Sequence, residues 1–118
     1  MPLCQIVWYI TNVLVDRLSK QDAQDLVRRC RAEGRIIVGR HFRDELENER
    51  LVLTDVWEVL RKGQIYSEPE PDIRTREWKY RMEGWEQGGK WLAIVLTFKA
   101  VDTAFLVTIF SVESRSSQ

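Results

Sequence analysis

The sequence predicts an α+β domain in which N-terminal helices pack on a C-terminal antiparallel sheet of three or four strands. Three observations lead there. Apolar residues recur at helical spacing through the first half. The stretch TREWKYRME, residues 75–83, alternates with a period of two. The runs KWLAIVLTF and AFLVTIFSV are apolar on both faces, as the central strands of a sheet are.

The elements follow in order. Ser19 predicts an N-cap for a helix from Lys20 to about Arg31, with Asp22 three residues on at the capping-box position. Ala23, Leu26, Val27 and Cys30 form its apolar stripe, and Gly34 ends it in the position that favours positive φ. RIIVG reads as a short β-branched strand. A charged helix from His41 to about Glu49 then buries little beyond Phe42 and Leu46, and Thr54 caps a further helix that faces Val56, Trp57, Val59 and Leu60 inward and stops at Gly63. QIYSE predicts a short strand, broken by PEPD because proline has no N–H to give a ladder. In TREWKYRME, Trp78, Tyr80 and Met82 take the inner face and Glu77, Lys79 and Arg81 the outer one. GWEQGG is a turn, and KAVDT a tight connection between the last two strands.

One domain is expected at this length, burying roughly two thirds of its unfolded surface. It spans residues 19–113, after an apolar N-terminal extension over 1–18 and before a frayed tail at 114–118. The opening run LCQIVWYITNVLV falls short of the roughly 20 residues a membrane helix needs and has neither a basic leader nor a small-residue cleavage site. A cytoplasmic protein is therefore expected, with no membrane partner. The apolar residues Ile6, Val7, Trp8, Tyr9 and Ile10 would be a liability if left unpacked, so the segment is expected either to pack against the domain as a strand or short helix or to pair with another copy in a homodimer contact. Cys4 and Cys30 have no metal-ligand spacing and read as reduced thiols.

Eighteen basic residues balance eighteen acidic ones, which argues against broad non-specific nucleic-acid binding but leaves room for a local basic site. No Walker loop, dinucleotide fingerprint, nucleophile elbow or metal motif occurs, so neither cofactor nor metal is expected. The residues that carry chemistry are the charged ones. His41 is the chain's one histidine and stands between Arg40 and Arg43 at a strand-to-helix junction, where unpaired N–H groups and two cations suit an anion. Metal-free RNA cleavage through the 2′-hydroxyl needs a base, an acid and a cation for the phosphorane charge. Glu77 or His41 is the candidate base. His41, Lys79 or Tyr80 is the candidate acid, although Tyr80 falls on the inner face. Arg40, Arg43, Arg76 or Arg81 can hold the charge, and Trp91 and Trp85 can line the surface for stacking.

The pieces Arg40-His41-Phe42, Leu53-Thr54-Asp55-Val56, Gly63, Lys79-Tyr80-Arg81 and Val107-Thr108-Ile109, in this order, resemble a family of small bacterial domains of unknown function over about residues 20–112. That family looks related to the BrnT and MqsR toxins and, more remotely, to the RelE-like ribonuclease fold (barnase/colicin/RelE). The resemblance implies a RelE-like α+β fold, metal-independent endoribonuclease activity on RNA, and neutralisation by a partner antitoxin. The MqsR-type set places lysines near Ser67 and Ser111 and a tyrosine at Trp91; this chain has none of the three and keeps Lys79 at a central position. The expected site comprises His41, Glu77, Lys79 and Arg81 as catalytic residues, with Arg40, Arg43, Arg76 and Trp91 holding RNA. The alternative is a non-catalytic protein-binding or self-assembling module on the same scaffold.

Overall fold

The computed structural model describes residues 17–112. The expectations for the N-terminal extension, for Cys4, for a homodimer contact through Ile6–Ile10 and for the tail at 114–118 lie outside those residues. The chain is α+β, with the element order α1 (Lys20–Glu33), β1 (Arg35–Val38), α2 (Arg40–Asn48), α3 (Leu53–Lys62), β2 (Gln64–Ile65), β3 (Glu70–Pro71), β4 (Trp78–Trp85), β5 (Trp91–Ala100) and β6 (Thr103–Ser111). No helix among the described residues is long and apolar enough to cross a membrane.

The sheet is larger than the sequence predicts. Six strands take the order β1-β6-β5-β4-β2, with β3 also on β4. The sheet is mixed, because β1 pairs parallel with β6, Arg35 opposite Thr103 and Val38 opposite Leu106. The two apolar runs, β5 and β6, do lie inside it. PEPD does not end pairing: Glu70 and Pro71 stand opposite Lys79 and Trp78 as a two-residue strand. Proline is tolerated there because β3 is an edge strand, with no further ladder for the missing N–H to serve.

Ser19 caps α1 as expected, its Oγ accepting from the Asp22 N–H at 3.1 Å. Helix α3 begins two residues earlier than a Thr54 cap would place it. Val52 is its N-cap, and since valine has no acceptor the polar contact comes from Asp55, whose Oδ2 accepts the Val52 N–H at 3.0 Å. At the other end of α3, Arg28 of α1 donates to the carbonyls of Arg61 and Gly63 at 3.1 and 2.8 Å, satisfying C-terminal carbonyls that the helix leaves orphaned.

Gly34 has φ −114°, so positive φ is not what selects glycine there. Close approach is: a Cβ at Gly34 would sit 2.2 Å from the Asp102 carbonyl oxygen, which accepts the Arg35 N–H at 2.7 Å and starts the parallel ladder. Gly63 is equally crowded, its Cβ position lying 2.5 Å from the Val59 oxygen and 2.6 Å from the Glu83 oxygen.

The core lies between the helices and one face of the sheet. Ala23, Leu26, Val27 and Cys30 of α1, Phe42 and Leu46 of α2, and Val56, Val59 and Leu60 of α3 join Tyr80, Met82, Leu92, Ile94, Leu96, Leu106 and Ile109 in one apolar cluster. Burial pushes the Cys30 thiol up to about 11, helped by the Asp102 charge. Tyr80 stacks against Phe98 with centroids 5.4 Å apart, and its hydroxyl accepts the Leu18 N–H at 2.8 Å. Burial raises this phenol, although the Leu18 bond and Arg17 act the other way. Tyr80 is therefore a core residue held by a backbone bond and does not share the charged face.

Candidate functional site

Strand alternation sends Lys79, Arg81, Glu83 and Trp85 to the face opposite the core. Register aligns them with their neighbours: Arg81 with Val95 and Thr108, Glu83 with Ala93 and Phe110, and Trp85 with Trp91. A cavity of about 360 Å³ opens on this outer face, lined among others by Glu70, Lys79, Arg81, Val95, Thr108 and Phe110.

Arg81 is the most constrained cation in it. Its guanidinium carbon lies 5.0 Å from the centroid of the Phe110 ring, a cation–π contact. Its Nε lies 3.1 Å from Glu83 Oε2, an ion pair by distance. The N–H is not directed at that oxygen, so the buried Nε makes no hydrogen bond. Glu83 is 4% exposed and accepts a second contact on its other oxygen, from Trp91 Nε1 at 2.8 Å. A buried carboxylate thus fixes both an arginine and an indole on the same face.

Lys79 is freer, 3.6 Å from Asp72 Oδ2. Asp72 accepts the N–H groups of Arg74 and Thr75, which hold its carboxyl below the usual carboxylate range, with Lys79 adding to the effect. Arg76 sits exposed in the same turn, with φ 62° in the left-handed region. Glu77 takes Lys99 Nζ on both oxygens, at 2.8 and 3.0 Å, and Lys99 in turn lies 5.2 Å from the Phe105 ring.

The structure therefore brings together Lys79 and Arg81, sets Trp91 opposite Trp85 at the far end of β4, and places Glu77 with Lys99 at the near end. His41, Arg40 and Arg43 lie elsewhere. They occupy the exposed first turn of α2, where Arg43 Nε donates to the Val38 carbonyl at 3.3 Å. That turn follows β1, and β6 and β5 intervene between β1 and β4. None of His41, Arg40 and Arg43 lines the Lys79–Arg81 cavity. Trp91 is half-buried and bonded to a carboxylate, which suits stacking better than phosphate contact.

The sequence reading missed Glu83, Lys99 and Phe110. Glu83 was legible in part: continuing the alternation of Lys79 and Arg81 by two residues reaches it. Lys99 and Phe110 enter only through strand pairing. No group of three or more His, Cys, Asp or Glu residues able to hold a metal ion occurs among the described residues.

No curated protein and no solved structure matches the chain significantly. The family model of the domain of unknown function DUF4258 matches residues 38–111, from the last residue of β1 to the last of β6. The matched span carries both the α2 turn and the outer sheet face and leaves α1 outside it, and on this match the chain belongs to the DUF4258 family.

Proposed function

We propose that the chain is a toxin-like, metal-independent endoribonuclease that binds single-stranded RNA across the outer face of β4 to β6 and is neutralised by a partner antitoxin. The observation that carries this reading is Arg81. An arginine held against Phe110 beside a buried carboxylate, its side chain 40% exposed where it lines the cavity, is suited to a phosphate oxygen, and Lys79 two residues away supplies a second cation. Aromatic rings on the same sheet, Phe110, Trp85 and Trp91, offer faces on which unpaired bases stack.

In this reading Glu77, on the polar side of the same strand's entry, takes the 2′-hydroxyl proton. The 2′-oxygen attacks phosphorus, the bond to the 5′-oxygen breaks, and Lys79 returns a proton to that leaving oxygen. The products are a 2′,3′-cyclic phosphate and a 5′-hydroxyl. Arg81 stabilises the phosphorane charge. His41 is given no part in these steps, because it does not line the cavity of Lys79 and Arg81.

The test is induced expression in a bacterial host, comparing wild type with Lys79→Ala/Arg81→Ala, both confirmed folded by circular dichroism. Growth arrest with RNA breakdown by wild type alone supports the reading. Normal growth at high folded expression overturns it. A non-catalytic binding module is the second reading, favoured by one observation: Lys79, Arg81 and Glu77 each already face an opposite charge, Asp72, Glu83 and Lys99.

A further inference from the structure

A second cavity, of about 770 Å³, lies where the end of α2 meets the end of β6, and Asn48, Glu49, Arg50, Lys90, Phe110 and Ser111 are among its walls. Phe110 also lines the Lys79–Arg81 cavity, so one ring borders both. The corner exists because β1 pairs with β6 only as far as Leu106, while α2 packs against that strand. Two contacts fasten it. Ser111 Oγ donates to Glu49 Oε1 at 2.7 Å, and Lys90 Nζ donates to the Glu49 carbonyl at 3.3 Å.

Two cations line this cavity against one carboxylate, Glu49, which is already taken up by the Ser111 hydroxyl. Lys90 Nζ touches only a neutral carbonyl, and Glu86 feels its charge through space. The exposed Arg50 side chain makes no hydrogen bond or ion pair among the described residues. It is not needed to cap α2 either: the Glu49, Arg50 and Leu51 N–H groups already close the carbonyls of Glu45, Glu47 and Leu46. Arg50 has φ 59°, the left-handed conformation at a helix end that glycine adopts at least cost. A glycine would thus serve the fold better than this arginine does.

We infer that this corner is a second phosphate site, in which Arg50 and Lys90 hold the phosphate next to the one at Lys79 and Arg81, with the intervening base against Phe110. A guanidinium fork and an ammonium point charge are the two side chains that suit phosphate oxygens, and an aromatic ring accepts any base. The occupant rests on the nuclease reading. The second site extends that reading from one phosphate to a stretch of strand running over Phe110 toward the end of β6.

The test measures binding to the full chain by titration calorimetry. The probes are 2′-O-methyl uridine oligonucleotides, which lack the attacking hydroxyl and stay whole: a dinucleotide with one phosphodiester and a trinucleotide with two. Wild type is expected to bind the trinucleotide about 3- to 10-fold more tightly, in the range of two exposed ion contacts. Arg50→Gly/Lys90→Gln, confirmed folded by circular dichroism, is expected to bind both within about twofold, the difference a second register alone makes, and to lower the salt slope for the trinucleotide by about 0.7, the value for one contact on a single strand. Arg50→Gly alone is expected to melt no lower than wild type; a lower melting temperature would make Arg50 a structural residue and overturn the inference. A gain that survives in the double variant, or no gain in a wild type that binds both probes, overturns the second site alone. Failure of wild type to bind either probe, or binding unchanged in Lys79→Ala/Arg81→Ala, overturns the nuclease reading together with it.

Discussion

Trp91 Nε1 donates to Glu83 Oε1 at 2.8 Å, so an indole from β5 and a buried carboxylate from β4 lock together on the outer face. The same carboxylate stands 3.1 Å from Arg81 Nε, so one side chain links the two ends of the surface. Glu83→Gln keeps an acceptor for Trp91 and removes the charge beside Arg81. It is expected to cost about 1 kcal/mol or less, while Glu83→Ala, which leaves the indole N–H and Arg81 without that partner, costs about 1–3 kcal/mol. Urea unfolding of the two variants checks the ordering; equal stability of both would contradict the role given to Glu83.

Gly63 brings the end of α3 onto β4, and a methyl group there meets the Val59 and Glu83 carbonyl oxygens at 2.5 and 2.6 Å. Both obstacles are backbone and cannot turn aside. Gly63→Ala is expected to destabilise the fold by about 1–3 kcal/mol, as overpacking does. Gly89→Ala is the comparison: nothing lies within 4 Å, and its φ of +94° is the only source of strain. A thermal melt in which Gly63→Ala matches wild type would show that helix and strand can separate freely here.

Much of this fold was legible because local periodicity decides it. Helical spacing in α1 identified Ala23, Leu26, Val27 and Cys30, and all four are buried. A period of two in β4 put Tyr80 and Met82 in the core and Lys79 and Arg81 on the other face. What spacing along the chain does not encode is pairing between distant segments. The β1–β6 ladder joins Arg35 to Thr103, and nothing near either residue announces a parallel partner. The strand at Pro71 was hidden by proline's usual meaning, which an edge position suspends. The candidate site divided along the same line. Lys79 and Arg81 share a strand and stayed together, whereas His41 was grouped with them by residue type alone, and strand order then placed two strands between.

The raised Cys30 thiol links stability to alkaline pH. The folded state keeps the proton up to about 11, above the ordinary thiol value of 9.0. Below 9.0 both folded and unfolded chains hold the proton and no differential arises. As pH rises from there toward 11 the unfolded chain ionises first, and stability falls. The raised Tyr80 phenol acts in the same direction. In a Cys4→Ser background, a disulfide-exchange reagent is expected to leave Cys30 unmodified at neutral pH until denaturant is added, since the buried neutral thiol is neither accessible nor nucleophilic. Rapid labelling of the native protein would contradict the core placement.

The central claim is that a phosphate site sits at Lys79 and Arg81 and excludes the α2 turn. Fluorescence anisotropy with a short single-stranded RNA, in wild type and in folded Lys79→Ala, Arg81→Ala and His41→Ala proteins, tests it directly. Loss of a phosphate-bound cation is expected to weaken binding by roughly 5- to 30-fold, about 1–2 kcal/mol, for either Lys79→Ala or Arg81→Ala, and to flatten the salt dependence. His41→Ala is expected to bind as wild type does. The opposite pattern, with binding lost in His41→Ala and kept in the two β4 variants, would contradict the account and move the RNA site to the first turn of α2.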